Sequence, residues 1–190
     1  MSFPFTLRWI SFSILALFAG AGWIWASRAP AGSTTESGIP SPRQGFLAPD
    51  FTLENAEGQE IQLSDLRGQP VLVNLWASWC VPCRTEMPAL ERVYQEYRSQ
   101  GFVLLAVNAT DQDNRPSALA FAQENGLTFP LLFDFDGQVS RLYQLRALPT
   151  SFFIKPDGTI QEVVVGGPMS EALLRVRIEQ LLESSGRSTP

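Results

Sequence analysis

The spacing of apolar residues changes along the chain, and each change marks an element. From Trp9 to Ala26, "WISFSILALFAGAGWIWA" runs for about 18 residues without a charge, near the lower limit for a membrane-spanning helix. Tryptophans stand at both ends, Trp9 on one side and Trp23 and Trp25 on the other, as interfacial anchors do. "AGA" at Ala19–Ala21 offers a signal-peptide cleavage site, but the apolar residues continue past it, which favours an uncleaved anchor. Residues 27–45 are Ser-, Thr-, Pro- and Gly-rich and nearly empty of large apolar side chains, so they read as a tether. Folded sequence is expected from Phe46.

Beyond the tether, short β-prone runs alternate with helical spacing. "FTL" at 51–53 and "IQL" at 61–63 flank a turn-rich insert and predict a hairpin. "VLVNLWA" at 71–77, "FVLLAVN" at 102–108 and "PLLFDF" at 130–135 have the length and composition of buried strands. Met87, Leu90, Val93, Tyr94 and Tyr97 follow a helical period, which places a helix over about 82–98, with Pro88 inside it to kink it. A second helix opens at Pro116 and closes at Gly126, and a short one covers Val139–Tyr143. "TSFFIKPDGTIQEVVVG" predicts a second hairpin, and a last helix runs from N-cap Ser170 to about Leu182. The order indicates an α/β fold, a sheet with helices on both faces. The division is 1–8 flank, 9–26 transmembrane anchor or signal, 27–45 linker, 46–185 folded domain and 186–190 tail.

Composition narrows the chemistry. The 190 residues are 45% hydrophobic and carry a formal net charge of −5 without a basic cluster, which argues against a nucleic-acid partner. There is no histidine, and the only cysteines are Cys80 and Cys83. A pair this close closes too little chain to serve stability. Zinc needs about four ligands, which two cysteines without histidine cannot supply, so no metal site is expected. Cytochrome-type haem attachment needs a histidine where Arg84 stands, and a Cys–His hydrolase lacks its base. What remains fits the position of the pair. Cys80 follows a strand and Pro82 suits the first turn of a helix, so Cys80 lies at a helix N-terminus, where unpaired N–H groups favour a thiolate. Cys83, about one turn further on, is placed to attack a mixed disulfide. The arrangement suits thiol–disulfide exchange without a cofactor other than the redox-active Cys80–Cys83 pair itself.

"WASWCVPCRTEMPAL" resembles the active-site segment of the TlpA/ResA-like group of membrane-anchored, thioredoxin-fold oxidoreductases. The likeness extends over most of 46–185, through "APDFTLENAEGQEIQLSDLRGQPVLVNLWASWC", "GFVLLAVN" and "ALPTSFFIKPDGTI". It implies a thioredoxin-like core with an N-terminal β-hairpin extension and an insertion within about 109–135. It also implies thiol–disulfide exchange outside the cytoplasm on protein substrates such as apocytochrome c; a membrane electron-donor protein is expected to feed the reducing direction. By position, Cys80 would be the exposed nucleophile, Cys83 the buried resolving thiol and Pro149 a cis-proline presenting the Leu148 backbone to a substrate strand. Trp79, Val81 and Pro82 would face the substrate, with Trp76 in the core. The group's glutamate linked to proton management matches Glu86, while Asn74 stands where ordinary thioredoxins keep a titratable aspartate. With Val81 and Pro82 between the cysteines, the potential is expected nearer about −270 mV than about −120 mV, a reductase.

Two other functions compete. A peroxidase of related fold needs Thr or Ser three residues before its cysteine, where Ala77 stands. A non-catalytic Cu(I) module could use the two thiolates. "DFDG" at 134–137 reads as a turn, because Leu145 rather than a glutamate would close a calcium loop, and Asp111 and Asp113 read as solvated loop.

Overall fold

In the computed structural model, which describes Trp23 and residues 39–186, the β-prone runs assemble into one sheet. Its strands are β1 (Thr52–Asn55), β2 (Glu60–Gln62), β3 (Val71–Trp76), β4 (Val103–Asn108), β5 (Leu131–Phe133), β6 (Thr150–Ile154) and β7 (Ile160–Val165). The helices are α1 (Val81–Tyr97), α2 (Arg115–Glu124), α3 (Gln138–Leu142) and α4 (Glu171–Gly186). The strands lie in the order β2-β1-β5-β4-β3-β6-β7. β3 and β4, and β4 and β5, pair parallel, while β3–β6, β6–β7, β1–β2 and β1–β5 pair antiparallel. The sheet is therefore mixed, with the N-terminal hairpin annexed to one edge.

The two-residue period of β3 divides the core. Leu72 and Trp76 face a layer that holds Met87, Leu90 and Val93 of α1, Phe121 of α2 and Leu174 and Ile178 of α4. Val71, Val73 and Leu75 face the other layer, with Val139 of α3, Tyr143 and Phe51. Every residue of β3 is buried, as a strand covered on both faces requires. Tyr143 is pinned by donating its hydroxyl to Pro49 O at 2.7 Å, and its ring stands edge-on to Phe152. Pro88 lies within α1 without ending it.

Two sequence boundaries shift. Backbone pairing is present ahead of Phe46: Ser41 N–H donates to Leu47 O, and Gly45 N–H to Ile160 O, so part of the expected linker is docked at the start of β7. The last helix extends to Gly186, beyond its apolar stripe. Apart from Trp23, the expected membrane segment 9–26 lies outside the described residues; among those, no helix is long and apolar enough to cross a membrane.

Candidate active site at the Cys80–Cys83 pair

The site is built where β3 gives way to α1. Cys80 is the N-cap of α1 in extended backbone, and its Sγ accepts the Cys83 N–H at 3.2 Å, one of the donors that a helix start leaves unpaired. Pro82 occupies the first turn, where a missing N–H costs nothing. Cys80 and Cys83 are joined by a disulfide, with Cα atoms 5.3 Å apart.

Cys80 opens on a groove of about 500 Å³. The groove is lined by Trp79, Val81 and Pro82 around the start of α1, by Leu145–Leu148 ahead of β6, and by Gln112. Trp79 and Val81 are exposed, at 57% and 72%, whereas Cys80 retains only 4%. That corrects the expectation of an exposed nucleophile. Sγ is bonded to the buried Cys83 beneath it, and the 145–148 wall lines the same groove, so the sulfur meets solvent as the floor of a slot.

The second wall comes from the residue before β6. The Leu148–Pro149 peptide bond is cis. Gly166 N–H donates to Pro149 O at 2.8 Å and the Thr150 hydroxyl donates to Ala147 O at 2.7 Å, which fixes this wall on β6. Leu75 of β3 and Thr150 of β6 are register partners, so both walls spring from adjacent strands. A second cis bond, Gly167–Pro168, follows β7. A Cβ on Gly167 would lie 2.7 Å from Glu86 Oε2 and 2.8 Å from Pro149 Cγ. Only glycine leaves room there.

Glu86, three residues after Cys83 in α1, does not line the groove. It is 1% exposed; Oε2 accepts Met169 N–H at 3.0 Å and Oε1 accepts Asn74 Nδ2 at 3.3 Å. Asn74 Nδ2 also donates to the Ser151 hydroxyl at 2.9 Å, while its Oδ1 has no hydrogen-bond partner. Burial pushes the Glu86 carboxyl above its ordinary pKa, and the Met169 N–H pulls only partly against it.

Asp113 is the residue that sequence reasoning misplaced. Its carboxylate is not solvated loop: Oδ2 accepts Ser78 N–H at 2.6 Å and Asn108 Nδ2 at 2.8 Å, and Oδ1 accepts the Ser78 hydroxyl at 2.7 Å. Partial burial works to raise its pKa, but hydrogen bonds from Ser78, Asn108 and the Asn114 backbone outweigh it and hold the carboxyl below the usual range. Trp79 Nε1 donates to Gln112 O at 2.9 Å and Arg84 to Ser78 O at 3.1 Å. The loop before Cys80 is thus stitched to the loop before α2, across a sequence separation that no local pattern reveals. Asp134, in the presumed turn, is also buried, and caps α3 by accepting the N–H groups of Val139 and Ser140.

Residues 45–163 match the AhpC/TSA family. The thiol–disulfide oxidoreductase ResA of Bacillus subtilis (strain 168) is 38% identical over 138 residues, 73% of this chain and 75% of that protein. ResA of Geobacillus kaustophilus is 39% identical over 140 residues, 74% of this chain and 76% of its own. A crystal structure assigned as a thiol:disulfide interchange protein DsbE from Chlorobium tepidum superposes with a TM-score of 0.68 at 35% identity, covering 74% of this chain and 98% of that one.

Proposed function

The chain belongs to the AhpC/TSA family and, within it, to the thioredoxin-fold oxidoreductases of the ResA kind, and on that premise we propose how its residues divide the work. It is a thiol–disulfide oxidoreductase acting on protein disulfides. In our reading it is a reductase, held by its N-terminal apolar segment on the outer side of a cell membrane. The single observation that carries the roles is the bonded pair at the N-cap of α1, on the floor of an open groove.

In the reduced form, the Cys80 thiolate attacks one sulfur of a target disulfide. The bond between the target sulfurs breaks, a mixed disulfide forms, and the first target thiolate leaves and takes a proton. Cys83, deprotonated, then attacks Cys80 Sγ; the second target thiol is released, and the Cys80–Cys83 disulfide remains. Two electrons have passed from the dithiol to the target. A membrane electron-donor protein, itself a dithiol carrier, restores the pair. Helix-terminal N–H groups lower the cost of charge on Cys80, as the contact from Cys83 N–H indicates. Glu86, whose carboxylate is made more basic by burial, accepts the proton of Cys83 and returns it. Trp79, Val81 and Pro82 bear on the target, and Leu148, before Pro149, offers backbone to which a target segment can add as a strand. Apocytochrome c is the substrate we propose, because its two neighbouring cysteines form a disulfide on a flexible segment that fits an open slot. Ala77, fully buried three residues before Cys80, brings no hydroxyl to hold a peroxide.

Trapping tests the roles. Cys83→Ser in the full chain should accumulate mixed disulfides through Cys80, identifiable by mass spectrometry, and Cys80→Ser should trap nothing. The reverse pattern would exchange the two roles. Equilibration with glutathione and dithiothreitol buffers tests direction; a strongly oxidising potential would refute a reductase.

A further inference from the structure

Arg146 is the one charged side chain lining the catalytic groove. Its guanidinium makes no ion pair and no hydrogen bond among the described residues, although it sits on a chain with a net charge of −5. Four other arginines are ion-paired: Arg92 with Glu171, Arg115 with Glu54, Arg175 with Glu96 and Glu171, Arg177 with Glu162. Arg84, which follows Cys83, is held by Ser78 O and lies over the Phe121 ring. Arg146 also borders a second hollow of about 280 Å³, lined by Tyr143, Phe152 and Val163 and flanked by Arg43. Arg43 likewise has no carboxylate partner among the described residues. The two hollows share Arg146, so unpaired positive charge leads away from Cys80 along the side of the Leu148 wall. Asp113, next to the groove residue Gln112, is committed to Ser78 and Asn108.

Resting on the reading of this groove as the place where a protein disulfide is reduced, we propose that Arg146 selects targets with a carboxylate two residues from the attacked cysteine. Arg146 precedes Leu148 by two positions. Arg146 and Leu148 line the same groove as Cys80, and two residues of an extended target segment span about 6.6 Å, within the reach of an arginine side chain. An exposed guanidinium–carboxylate pair changes an equilibrium by up to about fivefold, and replacing attraction by repulsion widens the gap to about tenfold. The pair is screened by salt. Arg146 is a specificity residue that touches the substrate and takes no part in electron transfer.

The test uses the full chain and three peptides with one internal disulfide, identical except for Glu, Gln or Lys at the second residue from the attacked cysteine. Each kcat/KM is divided by that peptide's rate with dithiothreitol, which removes the peptide's own reactivity. The Glu peptide should exceed the Lys peptide by about tenfold at low ionic strength. The ratio should fall towards one in high salt and in R146Q, and should invert in R146E. A ratio near one in the native chain, or one that survives R146Q, overturns the assignment of Arg146 while leaving the reductase standing. Failure to reduce any of the three peptides removes both.

Discussion

Asp113 offers the sharpest quantitative test. Asp113→Ala leaves the Ser78 N–H and Asn108 Nδ2 donors without their acceptor, in residues that are 7% and 0% exposed. Each buried donor left unsatisfied costs about 1–3 kcal/mol, and since the two share one carboxylate the loss should total about 3 kcal/mol. Asp113→Asn is different. Its amide oxygen can take the place of Oδ2, and its NH₂ can donate to the Ser78 hydroxyl, which turns from donor to acceptor. Contacts survive and only charge is lost, so about 1–2 kcal/mol should go, the difference between ionic and neutral hydrogen bonds. Because the folded-state pKa of Asp113 is depressed, its contribution is present above the unfolded carboxylate value, about 3.9, and is lost as pH falls through the folded value. The gap between native chain and Asn variant should therefore hold steady near neutrality and close below about pH 4. Urea unfolding of the oxidised proteins at pH 7 and at pH 3 measures it. Equal losses for Asn and Ala, or a gap that does not close in acid, would refute the idea that a charged carboxylate holds this loop.

Glu86→Gln reverses the sign. Burial raises the Glu86 pKa, so the native chain loses stability as pH rises through that raised value, while the Gln variant should not. Urea midpoints from pH 5 to 9 should diverge in favour of the variant, and its rate of thiol exchange should lose a proton-dependent limb; parallel curves would remove Glu86 from proton handling. Gly167→Ala places a methyl 2.7 Å from Glu86 Oε2 and 2.8 Å from Pro149 Cγ. It should cost about 1–3 kcal/mol through overpacking and slow target reduction. Unchanged stability and rate would mean that the loop after β7 gives way freely.

The parts of the fold that the sequence made legible are those governed by near neighbours along the chain. β3 and α1 could be read from periodicity, and the cysteine pair from where Pro82 puts the helix start. Chemistry assembled across distant segments was not legible. Asp113 and Ser78 are separated by 35 residues, and nothing around Asp113 distinguishes it from a solvated acid. The cover over Cys80 depends on the 145–148 wall, which only the β3–β6 pairing brings alongside. Asn74 stood out as a departure from the thioredoxin pattern, but its contact with Ser151 spans 77 residues. The docking of Ser41–Gly45 on β7 escaped a compositional boundary because backbone groups make it, and composition records side chains.

Leu75 and Thr150 face one another across the ladder that joins β3 to β6, and the two lips of the slot grow from the segments just past the end of β3 and just before the start of β6. Inter-strand spacing is set by peptide hydrogen bonding at about 4.8 Å and hardly yields. The roots of the two lips are thus held at a constant spacing, like the fixed end of a spanner. Variation in what is gripped must come from the loops and side chains carried on those roots, and prying the roots apart would mean unzipping two strands that are buried along their whole length.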